Sequence, residues 1–148
     1  MNGAGVRTKF FFDIYIGALY LPAKTKDATR IIDSKLPKRI SMHFLRGGIG
    51  HAMLAAGWKS AFENELSDKA MKRLKVRLRK FNAMFGNIDA GDQYAFDFLR
   101  DGSTVITLNG KRKGNIEGVD FQRALLGIWL GKKPDDPDLK QAMLNGSA

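Results

Sequence analysis

An arginine stands just behind two glycines, Arg7 after Gly3 and Gly5, and is followed by Tyr15 and Tyr20 among phenylalanines. A guanidinium can fork onto a carboxylate or a polarised carbonyl, and a phenol can add one more hydrogen bond. Set between apolar walls such as Phe12, these groups would suit a ligand with an oily body and one polar head. Spacing alone favours the commoner arrangement, a surface arginine and two core tyrosines with satisfied hydroxyls.

Other chemistry is thinner. His43 and His51 are the only histidines. Neither has a carboxylate at metal-ligand spacing, so no metal site is expected. His43 alternates with the core face of its strand, which favours a structural histidine. The serines lie in no nucleophile elbow. Without cysteine there is no thiolate nucleophile, disulfide framework or cysteine-built zinc site. Gly3-Ala4-Gly5 precedes a strand and lacks the third glycine of the dinucleotide fingerprint. Gly47-Gly48-Ile49-Gly50 follows a strand and opens a helix, so its amides could hold an anion. Parallel βαβ repetition is absent, however, and a plain strand-to-helix turn is the better reading. No cofactor is expected. Lys69, Lys72, Arg73, Lys75, Arg77, Arg79 and Lys80 form a basic run with no acid among them. Such a run can bind nucleic acid or an anionic membrane by counterion release. With no aromatic between the cations to stack on bases, a solvated helix face is favoured.

At 148 residues, 44% hydrophobic and 27% charged, the chain is expected to form one globular domain over residues 1–148. Its formal charge of +10 favours anionic partners. The longest apolar run, residues 10–22, contains Asp13 and is too short to span a bilayer. No small-residue cleavage site follows it, so no export signal is read. Residues 10–21 alternate as a strand with apolar side chains on both faces, which predicts a central strand covered on each side. Gly17 within it marks a bulge or a close approach. A short helix is predicted over 27–34, a strand over 38–46 and a helix over 51–66. Ser67-Asp68 starts another helix, with Ala70, Leu74, Leu78, Phe81 and Phe85 on one stripe. Asp101-Gly102 and Asn109-Gly110 separate strand-like segments 93–100, 104–108 and 111–116, which predicts a three-stranded meander. Asp120 caps a helix to residue 130, and a last helix surrounds 139–144. The pattern is α+β, an antiparallel sheet with helices gathered on one side.

Asn2-Gly3-Ala4-Gly5-Val6-Arg7 and Asp13-Ile14-Tyr15-Ile16-Gly17-Ala18-Leu19-Tyr20-Leu21-Pro22 resemble the opening of bacterial chalcone isomerase-like proteins. The similarity continues through Met42-His43-Phe44-Leu45-Arg46, Trp58, Phe81-Asn82, Asn109-Gly110 and the segment 118–131 with Ile128-Trp129-Leu130. It implies an open-faced β-sandwich with a ligand cleft between sheet and helices. It further implies that Arg7 holds a ligand's carboxylate or ketone oxygen. Tyr15 matches the hydroxyl residue of the fatty-acid binders of this fold, with Tyr20 the second choice. Export to the periplasm is typical of such proteins. They carry a signal peptide and a short strand pair before the Asn-Gly block, and these are expected to be missing here.

The isomerases of the fold close a phenolate onto an enone through an enolate-like state, which positioned donors must stabilise. They also use a tyrosine and an asparagine on the helix after the second long strand. Residues 46–58 offer only His51 there, and Gln122 stands where a serine or threonine belongs. Binding of a fatty acid or flavonoid-like molecule without turnover is therefore the leading expectation. Isomerisation, with Arg7 and Tyr15 catalytic, is the second, and anionic-surface binding by 69–80 the third. Arg7 and Tyr15 are eight residues apart, roughly 26 Å along a straight strand. They share a ligand only if residues 3–9 fold back or the strand bends; otherwise Lys9 or Arg46 is the anion partner.

Overall fold

The computed structural model describes residues 1–9 and 12–146. Among them, six strands form one antiparallel sheet in chain order: β1 (Gly3–Lys9), β2 (Phe12–Tyr20), β3 (Lys38–Phe44), β4 (Gln93–Phe98), β5 (Thr104–Leu108) and β6 (Lys111–Ile116). Helix α1 (Ala28–Asp33) joins β2 to β3, and α2 (His51–Glu65) and α3 (Asp68–Asn82) join β3 to β4. Helices α4 (Val119–Leu130) and α5 (Pro137–Asn145) end the chain. The α+β class and the 93–116 meander agree with expectation.

Strand alternation decides which side chains meet the helices. Tyr15 and Leu19 of β2, Ile40, Met42 and Phe44 of β3, and Tyr94, Phe96 and Phe98 of β4 all point to one face and are buried. The predicted stripe of α3 supplies Leu74, Leu78 and Phe81 to the same core. Trp58 of α2 sits within it, its ring centroid 5.0 Å from Phe81, 5.4 Å from Phe85 and 5.9 Å from Trp129. Each such edge or tilted pair contributes about 0.5–1.5 kcal/mol beyond area burial.

Two expectations are corrected. Residues 3–9 are themselves a strand, paired to β2, which local pattern does not reveal because Val6 is its one large apolar residue. The double-sided apolar pattern of β2 does not reflect burial on both faces. Val6, Ile16, Tyr20 and His43 are exposed on the uncovered face, so β2 has neighbours on both edges but a helical cover on one side only. His43 is thus a surface residue. Phe10 and Phe11, part of the predicted first strand, lie outside the described residues.

Gly17 does mark a close approach. A Cβ there would lie 2.8 Å from Met143 Cε of α5, and one on Gly5 would lie 2.7 Å from Ala142 Cβ. Glycines on β1 and β2 therefore form the bed of α5.

Helix α4 starts at Val119 after Gly118, whose φ of 104° is open to glycine. Asp120 is in the first turn and not the cap. Arg77 Nη1 and Nη2 donate to its Oδ1 and Oδ2 at 2.6 and 2.9 Å, and Arg73 Nε donates at 3.3 Å. The Arg77 hydrogen bonds hold its carboxyl at about 2, below the usual 3.8. Because the folded value is depressed, this stabilisation is full above the unfolded value and is lost as pH falls from 3.8 towards about 2. Solvent screens a carboxylate that is a third exposed, leaving about 1 kcal/mol. Asp120→Asn is therefore expected to lower stability by about 1 kcal/mol at neutral pH and to converge with wild type at about pH 2, read from urea denaturation across pH.

Candidate functional site

The distance between Arg7 and Tyr15 is resolved by a hairpin. The chain folds back between β1 and β2, and Arg7 lies directly opposite Tyr15. Directly opposed residues have Cα atoms only about 4.5–5.5 Å apart. Thr8 pairs with Asp13 while Arg7 pairs with Tyr15, so Ile14 is the extra residue of a bulge. The bulge turns Phe12, Ile14 and Tyr15 all towards one cavity.

That cavity, about 820 Å³, lies between the β1–β3 end of the sheet and helices α2 and α4. Met42, Phe44, Leu54, Trp58 and Ile128 supply apolar wall. Arg7 is 15% exposed in its side chain. Its Nε donates to Asp135 Oδ2 at 2.9 Å and its Nη1 to the Thr8 carbonyl at 2.6 Å, with Asp136 Oδ2 3.7 Å from Nη1. Among the described residues Nη2 has no hydrogen-bond partner, which leaves one prong of the fork open. Tyr15 is 6% exposed, and its Oη accepts from Trp129 Nε1 at 3.1 Å. Burial raises its phenol well above the ordinary value, so it holds its proton throughout the working pH range. That proton has no acceptor among the described residues, and Tyr15 is therefore a donor towards the cavity. Lys9 and Arg46 also line the space, and the Arg46 guanidinium sits 3.9 Å over the Phe12 ring.

The structure thus brings together Arg7, Tyr15 and Phe12, with Lys9 and Arg46 beside them. It does not bring Tyr20 or His51. Tyr20 lies five positions from Tyr15 on a strand whose side chains alternate, so it points to the uncovered face, opposite Arg39. It lines a separate surface groove with Pro22 and Pro37. His51 begins α2 without lining the cavity. Its Nδ1 lies 2.6 Å from the Phe85 carbonyl oxygen, and its backbone N–H donates to Asn87 Oδ1 at 2.9 Å. It ties the start of α2 to the chain just past α3.

Sequence reasoning missed Trp129, which orients the Tyr15 hydroxyl, and Asp135, which holds Arg7. The signal for the second was present in Pro134-Asp135-Asp136-Pro137, an acidic pair fixed between prolines. The basic run is partly occupied, since Arg73 and Arg77 serve Asp120.

The family model described as chalcone isomerase-like matches residues 1–145. Among curated proteins no sequence match is found. Among solved structures, a fatty-acid binding protein of Arabidopsis thaliana superposes with a TM-score of 0.78 at 12% identity, covering 99% of this chain and 86% of that one. At that identity the likeness speaks for the fold alone, the open-faced sandwich with helices on one side of an antiparallel sheet. A sheet of this order, a cleft under its first hairpin and a family match over nearly the whole length agree: the chain belongs to the chalcone isomerase-like family.

Proposed function

We propose that the cleft binds a hydrophobic carboxylate, of the fatty-acid or flavonoid-like class, without turning it over. The observation that carries this is the cross-strand meeting of Arg7 and Tyr15 on the wall of a cavity whose other walls are mostly apolar. The open prong of Arg7 and the proton of Tyr15 are two donors for one carboxylate, while the apolar walls take the chain or rings. A volume of about 820 Å³ is within the usual range for small-molecule pockets. The fatty-acid binding named for the Arabidopsis relative supports the same ligand class.

The proton inventory supports binding rather than catalysis. Tyr15 keeps its proton, Asp135 is held by Arg7, and His51 lies outside the cavity, so these three groups offer the cavity no free general base. The test is displacement of a fluorescent anionic probe by laurate and by its methyl ester. We expect the acid to bind at least ~10-fold more tightly, because the ester forfeits the charge-assisted contact. Equal displacement by both, or by neither, overturns the reading.

A further inference from the structure

In a meander, alternate strand ends share one edge of the sheet. The end of β1, the start of β2, the end of β3, the start of β4 and the β5–β6 turn therefore lie at one end of the molecule. The His51 contacts to Phe85 and Asn87 bring the start of α2 and the end of α3 to this same end. The cleft is lined at this end by Phe12, Arg46, Gly48 and Met53, all exposed, so it opens to solvent here. The surface around that opening has two properties. Large apolar side chains face solvent: Phe12 is 49% exposed, Leu45 42% and Met53 67%. Cations share this end of the molecule with them, and among the described residues Arg46, Arg79, Lys80, Lys111, Arg112 and Lys113 make no ion pair. The acids in these segments are Asp13, Asp89 and Asp92, and Asp92 accepts from Asn109.

We propose that this end of the molecule docks on an anionic lipid bilayer, from which the cleft takes its ligand directly; the second half of that statement rests on the cleft being a fatty-acid site. Exposed apolar side chains and unpaired cations at one end of the molecule suit a headgroup layer, where the former enter the interface and the latter meet anionic lipid. A nucleic acid would use the cations but leave Phe12, Leu45 and Met53 in water. No helix of the described residues is long and apolar enough to cross a membrane.

The experiment is co-sedimentation of the full chain with vesicles of phosphatidylcholine alone or mixed with phosphatidylglycerol. Binding is expected to be at least ~10-fold stronger with phosphatidylglycerol and to weaken steeply with salt. Lys111→Glu with Lys113→Glu, or Leu45→Glu alone, should lower vesicle affinity at least ~10-fold and slow transfer of a fluorescent fatty acid from vesicles. None of these residues lines the cleft, so affinity for soluble laurate should stay within about 2-fold, the scatter expected for distant sites. The charge-matched pair Lys69→Glu with Lys72→Glu, at the opposite end of α3, should bind vesicles nearly as wild type does. Indifference of the wild type to anionic lipid, equal impairment by the control pair, or tighter binding to duplex DNA than to vesicles would overturn the docking surface. Vesicle binding without laurate binding would instead remove the cleft reading and leave the docking surface standing.

Discussion

Replacing Arg7 by alanine is expected to weaken fatty-acid binding at least ~30-fold, about 2 kcal/mol, in the probe-displacement assay. The loss has two parts. One is the charge-assisted contact from the open Nη2, in a site where the side chain is largely shielded from water. The other is what stays behind: Asp135 and Asp136, deprived of Arg7, would confront the incoming carboxylate with like charge. The converse variant separates the parts. Asp135→Asn should tighten binding about 3-fold or more, because Arg7 would no longer divide its charge between a protein carboxylate and a ligand. Arg7→Lys keeps the charge without the fork and should fall between wild type and alanine. Unchanged affinity in Arg7→Ala would move the anion partner to Arg46 or Lys9.

The second large effect is on stability. Gly3→Val should cost at least ~3 kcal/mol, at or beyond the upper end of ordinary overpacking, and lower the melting temperature by about 10 °C. A Cβ on Gly3 would run into the carbonyl oxygens of Ala142 and Met143 in α5, and backbone cannot rotate aside as a side chain can. Asn2 reinforces the same junction, its Nδ2 donating to the Met143 carbonyl at 2.8 Å. Lifting α5 also loosens Asp136, whose side chain caps that helix through Asp138 and Leu139, and with it the acidic pair that holds Arg7. Hydrogen exchange should therefore show the amides of α5 losing protection before those of β3 and β4. A variant that melts like wild type would mean that α5 does not rest on Gly3.

The two glycines before Arg7 thus have a packing role that no motif records. Gly3-Ala4-Gly5 looks like the start of a phosphate loop, yet its glycines serve as a floor for a helix more than 130 residues later in the chain. Much else was legible. Asp-Gly and Asn-Gly turns placed β4, β5 and β6, and positive φ at Gly102, Asn109 and Gly110 is the reason those dipeptides are used. The stripe of α3 appeared because its apolar residues recur every three or four positions against a polar background. The opposite face of Tyr20 is legible too, since five steps along a strand reverse the side-chain direction. The bulge at Ile14 was not legible, because it exists only relative to the partner strand.

What the amino-acid order determined by itself was the kind and succession of elements, the α+β class, and Arg7 and Tyr15 as the residues worth watching, with the family visible as a resemblance. Those properties depend on neighbours within a few positions, where periodicity, capping and turn chemistry act. That Arg7 faces Tyr15, that Asp135 reaches Arg7 from 128 residues away, and that Trp129 orients the phenol are consequences of three-dimensional packing. Strand register and helix docking are set by which surfaces exclude water together, and that competition is among distant segments, so no local spacing records its outcome.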